Sequence, residues 1–128
     1  MARAVLDASA VIALLRDEPG ADRVAVYAGD ALISTVNLQE VIKALLVRGF
    51  STEIARAMVD ALHLEARPHG VEDAYAAAAL EGVTRTLGRG LGDRTCMALA
   101  ISEGLPAITT DQEWGQLSAP GLVVILVR

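Results

Sequence analysis

The chain has 128 residues, enough for one domain around a single core, and 53% of them are apolar. Its net charge of −5 excludes a general basic field for nucleic acid, and its few scattered aromatic residues (Tyr27, Phe50, Tyr75, Trp114) exclude a base-stacking platform. The single cysteine, Cys96, excludes an internal disulfide and a cysteine-cluster zinc site; it reads as a buried small hydrophobe.

No apolar run approaches the length of a membrane span. The start lacks the basic region and long apolar core of a signal peptide, so a cytoplasmic location is expected. The apolar excess suggests a surface shared with a partner. A nuclease remains compatible with the acidic balance, because bound metal ions reverse the local charge where a phosphate must sit.

In chain order, residues 3–6 read as a strand and 8–16 as a helix that Asp17-Glu18-Pro19-Gly20 breaks. Ala21 to Tyr27 predicts a short helix and Ala31-Leu32-Ile33 a buried strand. Ser34 or Thr35 can cap the next helix, roughly 36–48, with Leu38, Val41, Ile42, Leu45 and Leu46 at helical spacing. Ser51 caps another helix to about Leu64, and Glu65 to His69 predicts an edge strand where Pro68 is tolerated. Val71 to Thr86 reads as one alanine-rich helix, and Leu87 to Gly92 as a loop. Asp93 then opens a helix to Glu103 that Gly104 closes. Ala107-Ile108-Thr109 is a strand, Asp111 to Leu117 an irregular helical turn, and Leu122 to Val127 a last apolar strand. Strands alternating with helices predict one α/β domain over 1–128 with a central parallel sheet.

Four acids stand out: Asp7, Glu40, Asp93 and Asp111. Capping a helix explains Asp7, Asp93 and Asp111 equally well when each is taken alone. Glu40 lies opposite the main apolar stripe of its helix, so a surface pair with Lys43 is also open. Their joint placement says more, since strand ends and helix starts share one edge of a parallel sheet. Carboxylates gathered there repel one another unless a cation joins them, and hard oxygen ligands favour magnesium or manganese. Such ions activate water and stabilise an in-line phosphoryl displacement without a histidine or serine nucleophile.

The segments Val5-Leu6-Asp7-Ala8-Ser9, Glu40-Val41, Leu91-Gly92-Asp93-Arg94-Thr95-Cys96-Met97-Ala98-Leu99-Ala100 and Ile108-Thr109-Thr110-Asp111 resemble the PIN-domain ribonucleases, most of all VapC-type toxins. The resemblance spans nearly the whole chain in order, and the segment around Asp93 is its most specific part. It implies a three-layer α/β/α fold and a magnesium- or manganese-dependent endoribonuclease leaving a 5′-phosphate and a 3′-hydroxyl. It also implies a homodimer and a cognate antitoxin that blocks the site. By motif, Asp7, Glu40, Asp93 and Asp111 are the metal-binding and catalytic acids, with Ser9 and Thr109 as supporting hydroxyls. Asn37, Gln39 and Trp114 depart from the pattern and read as not touching the acids. Glu113 reads as an outer ligand or a plain helix-face residue.

Other readings are weaker. Gly88 to Gly92 follows a helix rather than a strand and lacks the dinucleotide spacing. Arg85, Arg89 and Arg94 flank Asp93 as phosphate grips or as solvated loop residues. His63 and His69 lack metal-ligand spacing. A phospho-accepting signalling domain wants a late lysine, whereas Lys43 is early and alone; an aspartate-nucleophile phosphatase wants a second aspartate where Ser9 stands. A catalytically inactive PIN-like interaction module should have lost at least one of the four acids.

Overall fold

Ala4–Leu6 forms strand β1, all three residues buried, and Asp7 leads directly into helix α1 (Ala8–Arg16). The computed structural model describes residues 1–87 and 90–128. Helix α2 (Ala21–Ala25) and strand β2 (Ala31–Ser34) follow, and Ser34 caps α3 (Thr35–Val47) by accepting from the Val36 N–H at 3.2 Å. Ser51 caps α4 (Thr52–Asp60) in the same way. Then come β3 (Glu65–Arg67), α5 (Val71–Ala78), α6 (Glu81–Thr84), α7 (Leu91–Glu103), β4 (Ala107–Thr109) and β5 (Val124–Leu126).

The strands form one parallel sheet in the order β3-β2-β1-β4-β5. Side chains alternate between its faces, as the twofold period of a strand requires. Leu6, Ile33 and Ile108 join Val11, Val24, Val41 and Leu45 from α1, α2 and α3 in one core. Val5, Leu32 and Ala107 join Cys96, Met97 and Ala100 of α7 and the buried Trp114 in the other. Two cores with a sheet between them make the three-layer α/β/α architecture that the alternating pattern predicts. The chain turns from one side of the sheet to the other at the β1–β4 seam, the place where open α/β sheets carry their ligand crevice.

The differences from expectation are local. The alanine-rich helix breaks after Ala78: Leu80 leaves helical geometry and packs against the second core, and Gly82, Val83 and Thr84 propagate a helix poorly. A turn of 3₁₀ helix, Arg85–Leu87, follows. Helix α7 starts at Leu91, so Leu91 and Gly92 are helical and Asp93 occupies the third position rather than the cap. Gly88 and Arg89 lie outside the described residues; of that glycine run, Gly90 stands at the cap position of α7 and Leu91 and Gly92 are helical. The last strand is shorter than its apolar run and half-buried, as befits an edge. The other edge strand is β3, largely exposed, and Arg67 ties it to Glu103 at the end of α7. Among the described residues, no helix is long and apolar enough to cross a membrane.

Candidate active site

Asp7 is the most enclosed of the four acids, only 5% exposed. Its Oδ1 accepts from the Ala10 N–H at 2.9 Å, so it does cap α1, and from the Ser9 hydroxyl at 2.7 Å; its Oδ2 accepts from the Thr109 hydroxyl at 2.7 Å. Three of roughly four acceptor positions are therefore used. Burial pushes the Asp7 carboxyl up to about 6; the three hydrogen bonds oppose the rise and the nearby charge of Asp93 adds to it.

Ser9 and Thr109 serve more than Asp7. The Ser9 oxygen accepts from the Thr110 N–H at 3.1 Å, and the Thr109 oxygen accepts from the Asp111 N–H at 3.0 Å. The end of β1 and the exit from β4 are thus laced together by two hydroxyls. Asp111 also caps, its Oδ1 accepting from Glu113 N–H at 3.0 Å at the start of the short 3₁₀ helix Gln112–Gln116. Capping is consequently true of Asp7 and Asp111, whereas Asp93 stands in the first turn of α7, whose cap position is Gly90.

Glu40 projects from α3 and is exposed, yet it is held. The Asn37 Nδ2, one turn earlier, donates to Glu40 Oε1 at 2.8 Å and to the Gly92 carbonyl at 3.0 Å. Asn37 therefore does touch an acid, contrary to the sequence reading; its spacing of three residues from Glu40 on a helix is the signal that could have shown it. No Glu40–Lys43 ion pair forms among the described residues.

Glu40, Asp93, Asp111 and Glu113 line one cleft of about 530 Å³, together with Gln39 and Lys43 of α3 and Leu91 and Gly92 of α7. Asp7 is not among the residues that line it. A buried atom senses three of the acids at once: the Cys96 thiol is held well above its ordinary value, first by burial and then by the charges of Asp7, Asp93 and Glu40. The arginines are engaged elsewhere. Arg85 pairs with Glu81 at 2.8 Å, and Arg94 donates to the Thr84 hydroxyl at 3.3 Å. Arg89 lies outside the described residues. His63 is exposed and the His69 N–H donates to Thr35 Oγ1; neither lines the cleft.

The donor set is all carboxylate oxygen, the chemistry of magnesium or manganese rather than zinc. Among the described residues, no three histidine, cysteine or carboxylate side chains are grouped so as to hold an ion between them. Carboxylates spaced along one cleft still fit magnesium, which keeps several waters and takes one or two carboxylates plus substrate phosphate.

A family model described as the PIN domain matches residues 4–119. No curated protein matches the sequence significantly. Among solved structures, the fold is similar to a DNA-bound VapBC from Salmonella typhimurium (TM-score 0.73, 19% identity, 100% of each chain covered). It is also similar to VapBC2 from Rickettsia felis bound to a DNA fragment from its promoter (0.71, 16%, 96% of this chain and 97% of that one). A third is VapBC-5, a toxin–antitoxin family member from Mycobacterium tuberculosis (0.62, 25%, 98% and 99%).

Proposed function

Because this chain belongs to the PIN-domain family, we propose that it is a magnesium- or manganese-dependent endoribonuclease and the toxin of a toxin–antitoxin pair. The observation that carries the proposal is the cleft itself. Carboxylates from α3, from the first turn of α7 and from the end of β4 line one cavity at the sheet's switch point, and the buried Asp7 is near enough to Asp93 for that charge to raise its carboxyl. The VapBC neighbours support an antitoxin as the protein partner.

Asp7, Asp93 and Asp111 would hold the ion, with Glu40 as a further ligand or as the base. A bound ion supplies a water of lowered pKa and positive charge against the phosphate. The chain's own groups do the rest. Asn37 fixes Glu40 through Oε1, leaving Oε2 to take a proton from the attacking water. Water attacks phosphorus in line, the bond to the 3′ oxygen breaks, and that oxygen collects a proton from solvent. A 5′-phosphate and a 3′-hydroxyl result. Thr109 and Ser9 hold Asp7 as the anion against the burial that favours its protonation. Lys43 stands on the cleft wall as a cation for RNA phosphate.

The test is incubation of the purified chain with total bacterial RNA in magnesium, in manganese and in chelator, followed by sequencing of the RNA ends. Discrete new 5′-phosphate ends that need metal support the reading. Intact RNA in all three, with the chain folded and free of antitoxin, favours the inactive interaction module.

A further inference from the structure

Asn37 is 1% exposed, deep under a helix that carries an exposed acid one turn later. Its amide has two N–H donors and both are used, one on Glu40 Oε1 and one on the Gly92 carbonyl. Gly92 directly precedes Asp93, so a single amide ties the Glu40 carboxylate on α3 to the turn of α7 that presents Asp93. The flipped amide is excluded, because Oδ1 would then face a carboxylate and a carbonyl, both acceptors only.

Gly92 closes the arrangement from the other side. A Cβ at this position would stand 2.6 Å from both Glu40 oxygens. Its backbone is not left-handed, so the close approach of the carboxylate, and not a turn, is what calls for glycine here. Asn37 Oδ1 is buried without a hydrogen-bond partner among the described residues. A residue kept only for packing would carry no such orphan; leucine would fill the space without an unpaired oxygen.

From this geometry we propose that Asn37 is a positioning residue that, together with Gly92, aims the Glu40 carboxylate and couples it to Asp93. The inference rests on the nuclease reading and deepens it. A glutamate on an exposed helix face has three free torsions, and holding one oxygen removes most of that freedom before substrate arrives.

The experiment compares the parent with Asn37→Leu, Gly92→Ala, Glu40→Gln and the double variant Asn37→Leu/Glu40→Gln. Manganese affinity is read by the paramagnetic resonance of free ion, RNA cleavage by kcat and KM, and folding by thermal melts. Asn37→Leu should weaken manganese binding or lower kcat by about 10- to 100-fold with KM little changed. Gly92→Ala, which displaces the carboxylate while leaving Asn37 in place, should give the same defect. In the Glu40→Gln background Asn37→Leu should add nothing further. The side-chain amide resonances of Asn37 in labelled protein should move in Glu40→Gln and in Gly92→Ala, whether or not metal is added. Parent-like affinity and kcat in Asn37→Leu, or a loss that adds in full to that of Glu40→Gln, overturns the positioning role. Should Asn37→Leu fail to fold, Gly92→Ala decides alone, and parent-like behaviour there overturns the proposal. A parent that neither binds manganese nor cleaves RNA overturns the nuclease reading instead, and the amide resonances still report whether the clamp exists.

Discussion

Thr109 donates its hydroxyl to Asp7 Oδ2 at 2.7 Å although the two residues are 102 positions apart. They meet because β1 and β4 are neighbours in the sheet, with Leu6 opposite Ile108. The same hydroxyl oxygen takes the Asp111 N–H, so one threonine orders the acids at two strand ends. Removing that donor with Thr109→Val should push the Asp7 carboxyl further above about 6, since its hydrogen bond favours the ionised form. The acid limb of the pH–rate profile should move to higher pH, and Thr109→Ser should restore it. A profile identical to the parent's would remove Thr109 from the account.

Asp7 also sets a sign for stability. Its carboxyl is raised from 3.8 to about 6, so between those two values the folded chain still holds a proton that the unfolded chain has released. Stability from this group is therefore full below pH 3.8, where both states are protonated, and is lost as pH rises toward about 6. The size is on the order of 2–3 kcal/mol for a fully buried group. In chelator, the difference in melting temperature between Asp7→Asn and the parent should change across this window, the variant gaining on the parent as pH rises. Parallel curves would contradict the buried, strained carboxylate.

How far could these relationships be read beforehand? The alternation of apolar runs and helical stripes carried the sheet, the layers and the one-domain organisation, because period two and period 3.6 are local properties. The break after Ala78 was not legible, since it depends on Leu80 reaching a core built by α7. The sequence places the start of α7 two residues late because Gly90 caps it without a side chain, leaving no cap signal to read. The acids were legible as types at strand ends. The service of Asn37 to Glu40 is not legible in the sequence, because a polar residue one turn before an acid reads as solvent-facing until its burial is known.

Lys43 is the chain's only lysine, and it lines the cleft without an ion pair among the described residues. As a phosphate contact, Lys43→Ala should raise KM for RNA several-fold with kcat largely kept, and flatten the salt dependence of binding by about one unit of slope. Unchanged KM and slope would place the lysine outside the substrate path.

The end of α3 and the start of α4 expose Leu46, Val47, Phe50 and Ile54 together. We expect this apolar surface to join two copies of the chain. Light scattering at micromolar concentration should give twice the chain mass, and Val47→Glu with Ile54→Glu should give the monomer without unfolding. A parent that is monomeric in that range contradicts the expectation.

Carboxylates acting together through a divalent ion are the centre of the proposed chemistry, and Asp93 enters the cleft from the first turn of α7 rather than from its cap position. Single-turnover cleavage of an RNA substrate in saturating magnesium, parent against Asp93→Asn, tests this most directly. The parent should cleave only with metal, and the variant should lose orders of magnitude in rate with the fold retained. Equal rates in parent and variant would contradict it.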